Sequence, residues 1–319
     1  MGMVTREATR DTVERLCRQL ESVILGKGEV LQNLVIAILG GGHVLMEDRP
    51  GVGKTTLAKA LALSLSADFK RVQFTPDLLP TDILGSSVYN PKDGSFAFKE
   101  GPIFTNIVLA DEINRASPRT QSALLECMNE GNVSLDGGTH ELPRPFLVIA
   151  TQNPLEFEGT YPLPESQLDR FLLRIRLGYP DPEVERDVLR SRLREDPLES
   201  LRPVISGEEL RRAIRSVRDV RVDESLLDYV LEFLTATRRS ADFLLGASPR
   251  AGLGWVRAAQ ALALFEGRDY CIPDDFKELA QPVLAHRVVP VSTARVGDPN
   301  GHAGEDALAA LLESTPIPT

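Results

Sequence analysis

One stretch of the chain has the residue types of a phosphate-binding loop: Pro50, Gly51, Val52, Gly53, Lys54, Thr55 and Thr56. Glycines allow backbone N–H groups to close around a phosphate, the Lys54 ammonium reaches β- and γ-phosphates, and the Thr55 hydroxyl is a ligand for Mg²⁺. The pattern is G-x-x-x-x-G-K-[ST], except that Asp48 stands at the first glycine, and aspartate also adopts turn conformations. We therefore expect this loop to bind the phosphates of a nucleotide together with Mg²⁺, the alternative being a flexible glycine turn before a helix.

A pair of acids, Asp111 and Glu112, follows the apolar run 107–110. An aspartate at the end of such a strand holds Mg²⁺ through its water shell, and the glutamate beside it polarises an attacking water as general base. Taken alone, an apolar run that ends in two acids is more often a structural junction. Downstream of a phosphate loop, the catalytic interpretation is favoured.

Two further polar residues follow or precede candidate strands. Asn153 comes after the apolar run 146–150, where a neutral amide is suited to orient the attacking water, although Asn-Pro by itself is a turn signal. Arg170 precedes the run 172–177. It either forms an ion pair at the edge of the core or projects onto the γ-phosphate of a neighbouring subunit, a contribution worth roughly 10³–10⁵ in rate. The second role would make assembly a condition for activity.

The elements that must position these residues alternate between strands and helices. Buried strands are predicted at residues 43–46, 71–74, 107–110, 146–150 and 172–177, with helices between them, notably 55–66 and 118–130. This alternation predicts an α/β fold with a parallel sheet covered on both faces. From residue 179 the pattern changes to helices without a convincing strand, at 182–195, 208–217, 224–238, 249–265 and 273–283. We therefore predict two domains, residues 1–178 and 179–319.

Composition restricts the functional class. The 319 residues carry 36 Lys and Arg against 46 Asp and Glu, a net charge of −10 without a basic block, which disfavours nucleic acid as a partner. Neither a signal peptide nor a membrane span is expected, so we predict a cytoplasmic protein. The three cysteines, Cys17, Cys127 and Cys271, are far apart and the four histidines are scattered, so no zinc site or disulfide framework is suggested.

The order of these elements, followed by a helical lid, resembles the AAA+ ATPases. More narrowly, five stretches are similar to the MoxR family: residues 101–104, 109–116, 121–126, 150–154 and 158–171. The similarity extends from about residue 25 to the tail, and stretches of this length are far more specific than a phosphate loop. The resemblance implies an AAA+ core with an all-helical lid that binds and hydrolyses ATP.

The resemblance also assigns roles that spacing cannot. It implies that Asn153 is the residue called sensor 1, that Arg170 is the arginine finger, and that Arg250 is the sensor 2 arginine of the lid. Without the family, Arg250 is a surface charge, and the resemblance leaves open whether it contacts its own or a neighbour's nucleotide. Residues 23–26, ending in Gly26, match the segment that lines the adenine, while Lys27 stands where many relatives carry Gln.

Two β-hairpins are predicted, near 85–101 and 131–142, from alternating patterns around turn residues. Hairpins of this kind face the pore of the ring in relatives; the alternative for each is a passive surface hairpin. The second carries little positive charge, so it is a poor candidate for gripping DNA.

The resemblance implies a homo-oligomer, a ring of six subunits that remodels or matures another protein. In relatives the partner is often a protein with a von Willebrand factor A domain, and the ring helps to load metal or cofactor into a target enzyme. Alternative functions are a nucleic-acid-acting AAA+ motor, a chelatase-type AAA+ subunit, or a nucleotide switch that binds ATP without turnover. The identity of the client is not encoded in any motif.

Overall fold

A five-stranded parallel sheet forms the centre of the structure, a computed structural model that describes residues 2–49, 51–92, 94–135, 138–153, 159–193, 196–291 and 303–317. The strands are β1 (Val44–Glu47), β2 (Phe69–Gln73), β5 (Ile107–Asp111), β8 (Leu147–Gln152) and β9 (Leu173–Ile175). Their order across the sheet is β2-β5-β8-β1-β9. Each of them falls where the apolar runs predict a strand.

Helices cover both faces of this sheet, as the strand–helix alternation predicts. They are α1 (Gly2–Glu21), α2 (Gly28–Leu39), α3 (Lys54–Ser64), α4 (Pro80–Leu84), α5 (Pro118–Glu130) and α6 (Glu165–Leu168). Alternate strand residues point into two separate cores: Leu109 packs into the core beneath α1, α2 and α3, and Val108 packs into the core beneath α5. Both are fully buried, so the sheet is an inner layer and its functional groups must emerge at its edges.

Two antiparallel hairpins project from this core at the predicted places: β3 (Gly85–Asn90) with β4 (Ser95–Glu100), and β6 (Asn132–Leu135) with β7 (Gly138–Glu141). Gly85 closes the base of the first hairpin with φ of 99°, and a Cβ there would lie 2.2 Å from the Lys99 carbonyl oxygen. Only glycine fits this position. The hairpins touch, because His140 stacks on Phe98 with ring centroids 3.9 Å apart.

The C-terminal part is a helical lid. Its helices are α7 (Pro182–Arg192), α8 (Gly207–Val217), α9 (Glu224–Arg239), α10 (Pro249–Phe265), α11 (Pro273–Leu284) and α12 (Ala303–Ser314). Ser206 and Ser248 cap α8 and α10, because each hydroxyl oxygen accepts a hydrogen bond from a backbone N–H in the first turn of its helix. The buried Trp255 anchors the lid core, and its indole N–H donates to the Phe276 carbonyl oxygen at 2.8 Å. None of the described helices has the length and apolarity needed to cross a membrane.

The lid differs from prediction because two short strands, which were not expected, occur among its described residues. β10 (Phe243–Leu245) pairs antiparallel with β11 (Val289–Pro290). Strands of three and two residues are too short to show a period in sequence, and their pairing depends on how α9 and α11 pack.

Candidate active site

A cavity of about 610 Å³ lies at the carboxyl ends of β1 and β5, between the phosphate loop and α7. This is where parallel α/β sheets bind ligands, because the loops that follow the strands meet there. It brings together residues that the sequence predicts to act as one site: Gly51, Val52, Gly53, Lys54, Thr55, Thr56, Asp111 and Glu112. Pro50 lies outside the described residues.

The glycines of the loop are required by its backbone. Gly51 has φ of 85° and Gly53 has φ of 102°, both in the left-handed region that side chains disfavour. Helix α3 begins directly after Gly53, at Lys54, so the N–H groups of its first turn lack intrahelical partners. Such a helix start binds phosphate through these N–H groups and through the positive end of the helix dipole.

Asp48, which stands where the loop motif has its first glycine, has a structural role. Its carboxylate accepts hydrogen bonds from the backbone N–H groups of Leu177 and Gly178, the latter at 3.0 Å. Burial raises the pKa of this carboxyl group, although both N–H bonds oppose the shift. Asp48 thereby ties the start of the phosphate loop to the segment that leads from β9 into the lid.

Lys54 is held inside the cavity. Its Nζ donates to the backbone oxygen of Asp48 at 3.1 Å. Burial lowers the pKa of the ammonium, and the nearby carboxylates of Asp111, Asp48 and Glu112 oppose that shift. A phosphate group would supply the negative charge that favours the ammonium form at this position.

Asp111 ends strand β5 with both carboxylate oxygens bonded. Oδ1 accepts from the Thr151 hydroxyl at 2.6 Å, and Oδ2 accepts from Arg71 at 2.6 and 3.0 Å. Arg71, whose side chain is 47% exposed, also lines the cavity. Sequence reasoning missed Thr151 and Arg71, because only the neighbouring positions of β2, β5 and β8 in the sheet bring them to the acid.

The donor set suits Mg²⁺, since the Thr55 hydroxyl and the Asp111 carboxylate line the same cavity. Mg²⁺ is usually bound by one or two carboxylates together with waters and phosphate oxygens. No group of three or more His, Cys, Asp or Glu that could hold a metal ion occurs among the described residues.

Glu112 adopts a left-handed backbone conformation, with φ of 58° and ψ of 50°. Its N–H donates to Thr151 Oγ1 at 2.9 Å, which helps to fix this conformation. The carboxylate accepts from Gln73 at 2.6 Å and pairs with Arg115 Nε at 3.1 Å. A non-glycine residue in this region costs of order 1–3 kcal/mol and persists where the surroundings enforce it, typically at a functional site.

Asn153 and Gly26 are near the cavity but not among the residues that line it. Asn153 directly follows Gln152, which pairs with Glu47 at the end of β1, so it lies at the same edge of the sheet. Gly26 has φ of 69°, and a Cβ there would lie 3.1 Å from the methyl groups of Val184 on α7. The lack of a side chain at Gly26 permits this close packing against α7.

The far end of the cavity is mainly apolar. Its walls come from two directions, with Val23, Ile24 and Leu25 on one side and Tyr179, Val188 and Leu189 on the other. Lys27 donates to the Tyr179 backbone oxygen at 2.8 Å, which links the two walls. An apolar slot next to a phosphate loop suits an aromatic base, and the residues of the α7 side were not predicted.

Arg170 and Arg250 do not line this cavity. Both lie in a second cavity of about 430 Å³, together with Asp169, Gly254 and Arg287. Arg170 donates from Nη1 to the Leu125 backbone oxygen at 2.7 Å, while its buried Nε has no hydrogen-bond partner among the described residues. The two arginines are thus brought together, but away from the chain's own phosphate loop.

The strand order, the phosphate loop with its two acids and the helical lid define an ATPase of the AAA+ class. Residues 43–173 match the model of the ATPase family associated with various cellular activities (AAA), and residues 235–308 match the AAA lid domain. A crystal structure of a protein assigned as an ATPase, from Cytophaga hutchinsonii, superimposes with a TM-score of 0.90 at 38% sequence identity, covering 99% of this chain and 97% of that one.

Similar sequences narrow the class. The chain is 50% identical to YeaC of Bacillus subtilis over 287 residues, 90% of each chain, and 44% identical to chaperone MoxR1 of Mycobacterium tuberculosis, over 87% of this chain and 76% of the relative. Protein MoxR of Methylorubrum extorquens is 31% identical over 97% of this chain and 96% of its own length. The chain belongs to the MoxR family of AAA+ ATPases, and the resemblance predicted from sequence is confirmed. Its activity is the binding and hydrolysis of ATP.

Proposed function

We propose that the chain hydrolyses ATP between the subunits of a ring, with the six subunits that the family implies, and uses the cycle to remodel a client protein. One observation carries this proposal: the loop and both acids line one cavity, whereas Arg170 and Arg250 line another. A site that needs all of these groups is completed only when a second subunit brings its arginines to the first subunit's nucleotide.

In this mechanism the first turn of α3 and Lys54 bind the β- and γ-phosphates, and the apolar end of the cavity holds the adenine. Mg²⁺, held by Thr55 and Asp111, would neutralise charge on the phosphate oxygens. Glu112 accepts a proton from water as the water oxygen bonds to the γ-phosphorus. The bond from that phosphorus to the bridging oxygen breaks, and ADP leaves with the electron pair.

Gln73 and Arg115 both contact Oε2 of Glu112, so for Glu112 to act as base the water must reach Oε1 or displace these contacts. We assign Asn153 to orient that water, from its position directly after β8. Arg170 and Arg250 of the adjacent subunit stabilise the charge on the transferred phosphoryl group, which is worth roughly 10³–10⁵ in rate for an arginine finger.

The client-facing surface is assigned to the first hairpin. Phe96 is 72% exposed and Tyr89 is 54% exposed, and their rings pair at 5.3 Å. Exposed aromatic pairs are unusual on a passive surface and suit contact with apolar segments of another protein. The name chaperone MoxR1 of a relative supports a protein client. Maturation through a partner with a von Willebrand factor A domain, including metal or cofactor insertion, is the form of this activity that the family favours.

Three variants test the proposal. Lys54→Ala should abolish binding of a labelled ATP analogue, whereas Glu112→Gln should bind it and release no phosphate. Arg170→Ala should bind ATP normally and fail at hydrolysis. Mixing Arg170→Ala with Glu112→Gln should restore part of the activity, because each supplies what the other lacks across the interface.

The outcomes separate the assignments. Turnover that survives in Glu112→Gln would remove its role as base, and absence of rescue at every mixing ratio would count against a site shared between subunits. Proteins that co-purify with Glu112→Gln in ATP identify the client class, and nucleic acid in that complex would redirect the proposal to a nucleic-acid motor.

A further inference from the structure

A buried guanidinium lies where the lid meets the sheet. Arg287 follows α11, and its side chain is only 3% exposed. Burial lowers the pKa of this guanidinium to about 10, and the charge of Arg250 adds to the shift, while Asp169 opposes it. A buried charge is costly unless its partners are well placed, so the contacts of Arg287 show which groups it holds.

Those contacts surround the two arginines of the second cavity. Arg287 Nη2 donates to the Phe171 backbone oxygen at 2.6 Å, and Nη1 lies 3.6 Å from the Asp169 carboxylate. Nη1 also donates to the Arg250 backbone oxygen at 3.4 Å. Arg287 therefore contacts the residue before Arg170, the residue after it, and the backbone of Arg250.

Asp169 extends this connection to the start of α10. Its Oδ2 accepts from the Ser248 hydroxyl at 2.9 Å, and the same hydroxyl oxygen accepts the Ala251 N–H that begins the helix. The start of the helix that carries Arg250 is thus hydrogen-bonded to Asp169, the residue before Arg170. Arg287 contacts the same two places, since it lies beside the Asp169 carboxylate and donates to the Arg250 backbone oxygen.

Helix α10 leaves room for this guanidinium at Gly254. A Cβ at that position would lie 2.8 Å from Arg287 Nη1 and 3.2 Å from Nη2. Glycine in a helix interior is unfavourable relative to alanine, so its presence beside the guanidinium indicates a packing reason.

We propose that Arg287 is a positioning residue, which with Asp169 holds Arg170 and Arg250 at a fixed separation so that both meet the phosphates of the neighbouring subunit's nucleotide. The inference rests on the proposed function, in which these two arginines act across the interface. Arg170 and Arg250 line one cavity, and the contacts of Arg287 with the backbone at Phe171 and at Arg250 keep these two positions from separating before the phosphates arrive.

The test uses two variants that disturb the contacts of Arg287 in different ways. Arg287→Met removes the guanidinium, and Gly254→Ala keeps its charge but displaces it. Each should bind the labelled ATP analogue as tightly as the parent chain while kcat for phosphate release falls about 10²-fold, the loss typical of a displaced catalytic group. If Arg287→Met does not fold, Gly254→Ala decides the matter.

Arg268→Met is the matched control. Arg268 is another lid arginine, 18% exposed, which pairs with Asp275 and Glu266 and touches neither Arg170 nor Arg250. Its loss should lower thermal stability and leave kcat near the parent value, which separates positioning from general weakening of the lid.

Mixing with Glu112→Gln distinguishes the possible failures. Rescue of Arg287→Met and Gly254→Ala, to the extent seen for Arg170→Ala, supports the inference, because only the arginines given to a neighbour are then impaired. Normal kcat in either folded variant, or lost activity without rescue while Arg170→Ala is rescued, overturns the inference alone. If Arg170→Ala is not rescued either, the shared site itself fails and the inference falls with it.

Discussion

The Thr151 hydroxyl donates a hydrogen bond to Asp111 Oδ1 at 2.6 Å, across the neighbouring strands β8 and β5. The same oxygen accepts the N–H of Glu112 at 2.9 Å. One buried side chain therefore orients the acid assigned to Mg²⁺ and holds the backbone of the acid assigned as base. Asn153, which is assigned to orient the water, directly follows the strand that carries this side chain.

Replacing Thr151 by valine keeps the shape and removes this support. We expect a loss of about 1–3 kcal/mol in unfolding free energy, because a buried carboxylate oxygen and a half-buried N–H lose a partner. We also expect kcat to fall by about tenfold or more, since Glu112 loses a restraint on its strained backbone. Urea unfolding and phosphate release measure the two effects. Thr151→Ser retains the hydroxyl and should stay near the parent on both, and an unimpaired Thr151→Val would contradict this role.

Asp48→Gly restores the usual glycine of the loop motif and should nonetheless lower the free energy of unfolding. The backbone N–H groups of Leu177 and Gly178 lose their acceptor, at a cost of about 1–3 kcal/mol. Unfolding in urea and titration with an ATP analogue measure stability and nucleotide affinity. Asp48→Asn keeps one acceptor oxygen and should be affected less. A more stable Asp48→Gly protein would show that the carboxylate is dispensable.

Protonation of His43 should lower the free energy of unfolding in mild acid. Val148 N–H donates to its Nδ1 at 3.0 Å, so the ring proton is on Nε2, which donates to the Met128 oxygen at 2.9 Å. Burial lowers the pKa of His43 to about 4 from 6.5 in the unfolded chain. The unfolded chain therefore takes up a proton on this imidazole at a higher pH than the folded chain does. As a result, the free energy of unfolding is not reduced by His43 well above pH 6.5, and it decreases as the pH falls towards 4, by about 3 kcal/mol in total.

The difference between parent and His43→Gln isolates this contribution from that of other groups, including His286, whose pKa burial also lowers. Urea unfolding at several pH values between 7 and 4 gives both slopes. The parent should lose more stability than His43→Gln over this range, by about the same 3 kcal/mol. Parallel curves would show that His43 does not titrate with folding.

We expect the exposed aromatic pair of the first hairpin to bind the client and to have no part in ATP hydrolysis. Tyr89→Ser with Phe96→Ser should leave thermal stability and basal phosphate release unchanged, because both rings are largely exposed and lie on an insertion. The double variant should suppress aggregation of a denatured test protein less than the parent does, as measured by light scattering in ATP. Val133→Ser, in the buried part of the second hairpin, is a control for a destabilised insertion. Equal suppression by parent and double variant would contradict the assignment.

Much of the fold follows from local pattern. The apolar runs at β5 and β8 predict buried strands because a parallel sheet covered on both faces needs apolar residues at every position. The caps at Ser206 and Ser248 predict helix starts for an equally local reason, since the hydroxyl bonds a backbone N–H within the same turn. The strands β10 and β11 had no such signal, because their few residues pair only after α9 and α11 have packed.

The sequence by itself determined the class of chemistry, because a phosphate loop needs glycines and a lysine in consecutive positions, and such a loop is encoded locally. Only the tertiary structure decided which distant residues serve it. Thr151 and Arg71 reach Asp111 through strand order, and the role of Asp48 depends on a chain segment that arrives after β9. The separation of Arg170 and Arg250 from their own phosphate loop is likewise a property of packing, which brings residues far apart in sequence into one cavity and keeps others out of it.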